Sequence, residues 1–322
     1  RAEHTTIFTG IPVGTYLGGY GDADNYNKIV STQLEHFNGG AVNIGRGLIQ
    51  PKEGVFNYGS SDSDVNKILV RMESDMKMGY HVIDSQDFPN WLRNANEEDV
   101  RKFVEARIRD MLTRYKGKIK IFSLLNEYNH PNGDPFLNKL GKDYYLYVFK
   151  YARSIDAGAI LMLNDFNNHS LHTTGPSRLA QTQKLVQNLR EENLVDVVGV
   201  QFNLHVDDPF DVNDVVTNLR SFGIPVVITE ANVRLNGVPH SPNRWLRQAK
   251  LYAEMYEACI NSGVCIGFNT LQIGDKWSVF EQSYGFQDSD PTLFDDNLRP
   301  KFAYYLMISE VLITRQFSSE VR

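Results

Sequence analysis

The chain has 322 residues, of which 42% are hydrophobic and 22% are charged, so a large buried core is available and a disordered or fibrous protein is excluded. The formal net charge of −6 disfavours a nucleic-acid-binding protein, because such proteins usually carry a basic surface. The sequence contains no run of about 18 apolar residues, so we expect no membrane-spanning helix.

Apolar runs of strand length alternate with longer segments of helical periodicity along the chain. The predicted strands are Pro12–Leu17, Ala41–Ile44, His81–Ser85, Ile119–Leu125, Ile160–Asn164, Val197–Phe202, Val226–Thr229 and Cys265–Leu271. The predicted helices are Asp64–Met78, Glu97–Tyr115, Asp143–Ile155, Arg178–Glu192, Val212–Phe222 and Arg244–Ser262. This alternation predicts one α/β domain over residues 1–322, a (β/α)8 TIM barrel. A doubly wound sheet is the alternative, but the glycine-rich phosphate loop typical of it is poorly matched by Gly18-Gly19-Tyr20-Gly21.

Two glutamates follow the fourth and seventh predicted strands. Glu127 ends the run Leu124-Leu125-Asn126-Glu127, and Glu230 ends Ile228-Thr229-Glu230. The carboxyl ends of barrel strands meet at one mouth, where barrel active sites lie. Glycoside hydrolysis requires such a carboxyl pair, because one group protonates the leaving oxygen and the other attacks the anomeric carbon. Either glutamate alone could be a solvated strand end, but a pair in two separate motifs favours catalysis.

Patterns for other chemistries are poor. The sequence has neither a Gly-x-Ser-x-Gly elbow nor a His-Glu-x-x-His metal motif, and His169-x-x-His172 is better explained as a loop coincidence. We therefore expect no metal and no cofactor. Cys259 and Cys265 fit two interpretations equally, buried free thiols or a short-loop disulfide.

Several segments of the chain resemble glycoside hydrolase family 10, the endo-β-1,4-xylanases. The resemblance covers nearly the whole chain, and its segments are Ile49–Tyr58, Leu125–Glu127, Leu140–Tyr145, Ala152–Asp156, Leu163–Asn167, Gly199–Gln201, Ile228–Glu230 and Asp295–Tyr305. This combination is far more specific than any single motif.

The resemblance implies a retaining enzyme that cleaves a β-linked polysaccharide through a glycosyl-enzyme intermediate, with xylan as the default substrate. Glu127 would be the acid/base and Glu230 the nucleophile. Asn126 would hydrogen-bond the 2-hydroxyl of the sugar at the cleavage point, and Gln201 would line the same subsite. The expected partner is a polysaccharide or oligosaccharide, with no nucleic acid and no membrane, and we expect a monomer.

The cysteine spacing also resembles the family, whose Cys-x5-Cys pair is often a disulfide. The resemblance therefore favours a bridge between Cys259 and Cys265 over free thiols. Disulfides persist in oxidising compartments, so an extracellular or periplasmic protein is expected.

The sequence departs from the family pattern where sugars bind. The family's Trp-His pair on the third strand is missing from Asp84-Ser85-Gln86-Asp87-Phe88-Pro89. After the second strand, Asn43 is retained and Arg46 replaces a lysine, which keeps the charge but not the shape. Both residues remain candidates for substrate binding.

A second departure concerns the hydrogen-bonded pair that the family places behind its nucleophile. The histidine and aspartate of that pair are Asn203 and Asn232 here, which indicates a rebuilt neutral network. His205 could substitute for the lost histidine, because residues two apart on a strand face the same side. That His205 is an ordinary loop histidine is an equal alternative.

The third departure concerns the aromatic side chains. Leu271 stands where the family has a tryptophan over the cleavage-point sugar, and Trp277 stands where it usually has tyrosine. The smaller Leu271 leaves room for a hexose, so a β-glucan or a decorated hexose-containing glycan is the alternative substrate. Trp91 is a candidate sugar platform beside the third strand. A non-catalytic carbohydrate-binding protein is a further alternative, which the retained Asn126, Glu127 and Glu230 oppose.

Overall fold

The computed structural model describes residues 13–17, 23–45, 49–72, 74–130, 133–166 and 171–309. The strands are β1 Val13–Leu17, β2 Gly39–Asn43, β3 Lys77–Tyr80, β4 Ile83–Asp84, β5 Ile121–Asn126, β6 Ile160–Phe166, β7 Val197–His205, β8 Val226–Arg234 and β9 Cys265–Thr270. The helices are α1 Ala23–His36, α2 Gly59–Lys67, α3 Glu97–Arg114, α4 Pro135–Leu140, α5 Tyr144–Ile155, α6 Leu171–Glu191, α7 Val212–Ser221, α8 Pro242–Ser262, α9 Val279–Gln282 and α10, residues 302–309.

The strands form one parallel sheet that closes on itself. Its order is β3-β2-β1-β9-β8-β7-β6-β5-β4, and β3 also pairs with β5, which completes the ring. β3 and β4 are two halves of one barrel strand, interrupted at His81 and Val82, so the sheet has eight barrel positions. The predicted (β/α)8 barrel is confirmed, and all carboxyl strand ends open at the same mouth.

The segment before the third barrel strand was predicted incorrectly. The helix expected over Asp64–Met78 ends at Lys67, and a strand begins at Lys77. Met76, Met78 and Tyr80 are buried at a spacing of two, which places Met78 and Tyr80 inside the barrel as residues of β3, with Met76 just before the strand. Met76 also lies four residues after Met72, so the same methionines imitated a helical period.

Apolar side chains fill two layers. The larger cluster lies between the strands and the surrounding helices, and a smaller cluster fills the barrel. The barrel cluster consists of Ala41, Met76, Met78, Tyr80, Ile121, Met162, Val197 and Val227. Each fully buried side chain of this kind contributes about 1.5–3 kcal/mol. The mouth residues therefore rest on a packed floor.

Helix α3 shows how the sequence forms the outer ring. Its N-cap Asn96 accepts a hydrogen bond from the Asp99 N–H at 2.9 Å, and acidic residues occupy the first turn. Val100, Val104 and Ile108 recur at helical spacing and are fully buried against the barrel. This packing fixes α3 beside the third and fourth barrel strands.

A disulfide joins Cys259 near the end of α8 to Cys265 at the start of β9. Gly263 ends the helix in the left-handed region, with φ of 67°, so the chain turns directly into β9. The disulfide that the family resemblance favoured is present. In the part of the chain that the structure describes, no helix has the length and apolar character needed to span a membrane.

Candidate active site

Glu127 follows β5 in a left-handed backbone conformation, with φ of 49°. For a residue other than glycine this costs on the order of 1–3 kcal/mol and is typical of functional positions. Hydrogen bonds to described neighbours hold its backbone. Its N–H donates to the Asn164 carbonyl at 3.0 Å, and its carbonyl accepts from the Ser85 hydroxyl at 2.6 Å and the His130 N–H at 3.1 Å. The turn directs the Glu127 side chain into the barrel mouth.

Glu230 lies within β8 and is only 7% exposed. The Asn203 amide donates to its Oε2 at 3.3 Å, and the Asn232 amide donates to the Asn203 oxygen at 2.8 Å. His81 Nε2 lies 3.7 Å from Glu230 Oε1. Asn203 and Asn232 therefore form the neutral network expected behind Glu230.

Gln201 connects the two carboxylates. It pairs with Glu230 in the register of β7 and β8, and its amide donates to Glu127 Oε1 at 3.4 Å. Its own oxygen accepts from the Asn203 amide, also at 3.4 Å. Glu127, Gln201, Asn203 and Glu230 thus form one hydrogen-bonded chain across the barrel mouth.

Asn126 ends β5 and is fully buried. Its oxygen accepts from the Asn164 amide at 2.7 Å, and the Asn164 oxygen accepts from the Thr229 hydroxyl at 2.7 Å. Gly199 makes room for this arrangement, because a Cβ there would lie 2.2 Å from the Asn164 oxygen. Within the described residues the buried Asn126 Nδ2 has no hydrogen-bond partner. An unsatisfied buried donor calls for a partner, and a substrate hydroxyl would be one.

Asp165, next to Asn164 on β6, is a buried carboxyl beside Glu127. It is 1% exposed, and its Oδ1 accepts from the Phe166 N–H at 2.9 Å. Burial raises the pKa of Asp165 to about 7, and repulsion from the Glu127 carboxylate adds to the rise against the opposing effects of the Phe166 N–H and Arg178. A titrating carboxyl therefore lies near the expected acid/base.

His81 is the residue at this site that the sequence reasoning missed. It was predicted as the first residue of the third strand and given no role. The structure places it in the interruption between β3 and β4, 2% exposed, with its Nδ1 hydrogen-bonded to Ser123 Oγ at 2.8 Å. The available signal was a histidine within an apolar strand, which indicates a hydrogen-bonded position but not which group it faces.

The other polar residues that were predicted to bind substrate are Asn43, His205 and Arg46. Asn43 lies at the end of β2, half-buried, and its side-chain oxygen accepts from the Gly45 N–H at 3.1 Å. His205 Nε2 contacts the Asn236 carbonyl at 2.8 Å, and its Nδ1 accepts from the Asp207 N–H at 3.2 Å. These contacts favour a loop histidine over a substitute behind Glu230. Arg46 lies outside the described residues.

The predicted aromatic residues are less open than expected. Trp277 is 5% exposed and belongs to the main core cluster, which favours packing over sugar contact. Trp91 is half-buried, donates to the Gln50 carbonyl at 3.4 Å and packs edge-on against Phe103. Leu271 follows β9 directly and is half-buried. Trp91 and Leu271 stay candidates for substrate contact.

The fold and site together define a class of protein. A closed parallel barrel with two carboxylates bridged by amides at its mouth is the arrangement of a barrel glycosidase. Among the described residues, no group of three or more His, Cys, Asp and Glu could hold a metal ion. The side chains of His169 and His172 lie outside the described residues.

Comparison with known proteins identifies the family. The model of glycosyl hydrolase family 10 matches residues 10–310, and the chain belongs to this family. It is similar to endo-1,4-beta-xylanase 1 of Humicola insolens, with 26% identity over 315 residues, covering 93% of this chain and 71% of that protein. It is also similar to a beta-1,4-xylanase of Dictyoglomus thermophilum, with 25% identity over 282 residues, covering 81% of this chain and 78% of that protein.

Solved structures support the same fold. A glycosylated endo-beta-1,4-xylanase from Gloeophyllum trabeum superposes with a TM-score of 0.84 at 24% identity, covering 97% of this chain and 99% of that chain. Xylanase 10B from Thermotoga petrophila RKU-1, in complex with xylobiose, gives a TM-score of 0.84 at 19% identity and covers 98% of each chain. Membership of glycosyl hydrolase family 10 confirms the predicted enzyme class: the protein is a retaining, endo-acting glycoside hydrolase.

Proposed function

We propose that this enzyme cleaves the backbone of a β-1,4-linked xylan, with Glu127 as acid/base and Glu230 as nucleophile. The observation that carries the proposal is the hydrogen-bonded chain from Glu127 through Gln201 and Asn203 to Glu230. It fixes two carboxylates at the mouth of one barrel. The xylanase relatives described above support xylan as the substrate.

In the first step Glu230 attacks the anomeric carbon while Glu127 gives its proton to the glycosidic oxygen. The bond from that carbon to the leaving oxygen breaks, and an ester forms between the sugar and Glu230. In the second step Glu127 takes a proton from water, the hydroxide displaces Glu230, and the original anomeric configuration returns. Both carboxyl groups end in their starting protonation states.

The amides around the pair position the sugar. The buried Asn126 Nδ2 is available to the 2-hydroxyl of the sugar at the cleavage point. Hydrogen bonds to this hydroxyl strengthen as the transition state forms. Gln201 holds Glu127 and Asn126 through the same amide group, at 3.4 Å from each acceptor oxygen. Gln201 thus orders the Glu127 carboxylate and also holds Asn126, the residue proposed to bind the 2-hydroxyl in the transition state.

A hexose-containing β-glycan is the second candidate substrate, and Leu271 is the observation that favours it. This half-buried leucine stands directly after β9, where the family resemblance places a tryptophan. Leucine is smaller than tryptophan and leaves space that a hydroxymethyl group would fill. The Leu271 argument separates the two candidates by whether the sugar at the cleavage point carries a hydroxymethyl group.

Release of reducing ends tests the proposed function. Wild type, Glu230→Ala and the exposed-site control Glu53→Ala are incubated with xylan, mixed-linkage β-glucan and glucomannan. We expect wild type and the control to cleave xylan and Glu230→Ala to be inactive. Cleavage only of a hexose polymer supports the second candidate. If wild type binds xylan but cleaves no polymer, the protein is a carbohydrate-binding relative and the proposal is wrong.

The Leu271→Trp variant tests the size argument separately. Filling the space should raise the ratio of kcat/KM for a xylo-oligosaccharide to kcat/KM for the matching gluco-oligosaccharide. One methylene-sized change in a pocket is worth about 10- to 200-fold in selectivity, and an indole is larger. Leu246→Trp, at an exposed side chain of α8, is the control. An unchanged ratio would remove Leu271 from substrate recognition.

We further propose that the chain is one catalytic domain that works as a monomer outside the cytoplasm. The continuous barrel and the match to residues 10–310 support one domain. The Cys259–Cys265 disulfide supports an oxidising compartment. Light scattering after size exclusion would contradict the monomer if it gave twice the chain mass of 36.7 kDa.

A further inference from the structure

His81 lies where two short pieces of the third barrel strand meet, on the side of Glu230 away from the amide network. The Asn203 amide contacts Glu230 Oε2, whereas His81 Nε2 faces Oε1 at 3.7 Å. Both side chains are largely buried, with 3% of the His81 side chain and 9% of the Glu230 side chain exposed. The amides are uncharged, so His81 supplies a titratable group on the Oε1 side.

The orientation of the His81 ring is fixed from two directions. The ring stacks on Tyr80 with centroids 4.7 Å apart and planes 7° apart. Its Nδ1 lies 2.8 Å from Ser123 Oγ, inside the buried strand β5. When the Ser123 hydroxyl donates to Nδ1, the proton of the neutral ring is on Nε2 and faces Glu230.

We propose that His81 is a positioning residue that favours the ionised form of Glu230 and orients its carboxylate. This inference rests on the proposed role of Glu230 as nucleophile. The distance of 3.7 Å is longer than a hydrogen bond, so the effect is electrostatic, from an N–H dipole or from the imidazolium at low pH. The same field stabilises the Glu230 carboxylate when it leaves the sugar in the second step.

Two other described residues, Tyr80 and Arg107, lie close to His81. Tyr80 packs against the face of the ring and donates its hydroxyl to the Thr229 carbonyl at 3.0 Å. The Arg107 guanidinium lies near the backbone carbonyl of His81. Both the His81 carbonyl and Arg107 lie within 3.3 Å of where a Cβ on Gly45 would be. The ring edge that faces Glu230 is therefore the part that acts on it.

The acid limb of the pH profile tests the proposal, because kcat/KM of the free enzyme falls as the nucleophile is protonated. Wild type, His81→Phe, His81→Gln and Ser123→Ala are compared on an aryl β-xylobioside with a good leaving group. We expect His81→Phe to move the acid limb up by about one pH unit, because a favourable charge or dipole is lost. His81→Gln retains an N–H donor and should move it less.

The split between kinetic constants separates positioning from substrate contact. A residue that acts through Glu230 should change kcat and leave KM within about twofold. Ser123→Ala, which frees the ring without removing it, should shift the limb in the same direction by a smaller amount. His240→Gln, at a histidine whose side chain is 71% exposed, is the control and should match wild type.

Two results would overturn the inference. One is an active His81→Phe whose acid limb coincides with that of wild type. The other is used when thermal unfolding shows that His81→Phe is not folded. In that case, an acid limb that is unchanged in both His81→Gln and Ser123→Ala overturns the inference. Either result leaves the proposed function intact if wild type cleaves the substrate and Glu230→Ala does not. An inactive wild type overturns the proposed function and this inference with it.

Discussion

Replacing Asp165 by asparagine should make the stability of the protein less dependent on pH. The carboxyl is 1% exposed, and burial raises its pKa to about 7 in the folded state. In the unfolded chain an aspartate has a pKa of about 3.9. The folded state therefore holds the proton more tightly, and raising the pH from about 4 to about 7 costs folding free energy as this proton is lost.

The size of this effect follows from the difference in pKa. Each pH unit corresponds to about 1.36 kcal/mol, so ionised Asp165 costs about 4 kcal/mol above pH 7, and about 1.5 kcal/mol of that is already present at pH 5. The difference in unfolding free energy between Asp165→Asn and wild type should thus grow by about 3 kcal/mol from pH 5 to pH 8. The new amide also replaces Oδ2, which has no hydrogen-bond partner among the described residues, and this adds an offset that does not vary with pH.

Urea unfolding at several pH values measures this slope, with Asp296→Asn as the control at an exposed aspartate. The control should show no comparable slope. An Asp165→Asn difference that is equal at pH 5 and pH 8 would refute the reasoning, because it would mean that Asp165 titrates alike in the folded and unfolded states.

Three further variants test the hydrogen bonds and the disulfide. Asn203→Ala removes the donor to Glu230 Oε2 and should lower kcat/KM about 10- to 100-fold, as measured on the aryl xylobioside with folding checked by circular dichroism. Asn126→Ala should lower kcat more than it raises KM, and the loss should shrink on a 2-deoxy substrate if Asn126 binds the 2-hydroxyl. Changing Cys259 and Cys265 together to alanine should lower the unfolding free energy by about 2 kcal/mol, and a reductant should then destabilise wild type but not the variant.

The barrel could be predicted from the sequence because most of its strands are apolar runs of strand length. The predicted run Val226–Thr229 lies within β8, and Glu97–Tyr115 matches α3 to within one residue. The third barrel strand could not be predicted in the same way. β3 has four residues and β4 two, and Met76, just before β3, continues a helical spacing because it lies four residues after Met72. Pieces this short carry too little periodicity to separate strand from helix.

The two carboxylates and their amides were predicted, but the partner of Glu230 on its other side was not. Residues two apart on one strand share a face, and that rule led from Asn203 to His205. His81 reaches Glu230 from a different strand, across a β-strand interruption. Which residues face each other across a barrel depends on strand register and tilt, which a single sequence does not encode locally. The burial of Trp277 has the same cause, since its exposure depends on tertiary packing into the main core cluster.

Trapping of the glycosyl-enzyme intermediate tests the central claim most directly. An activated 2-deoxy-2-fluoro-β-xylobioside is incubated with wild type and with Glu230→Gln, and the labelled peptide is located by mass spectrometry. We predict one label on Glu230 in wild type and none in the variant. A label on another residue, or hydrolysis of xylan by wild type with no label at Glu230, would contradict it.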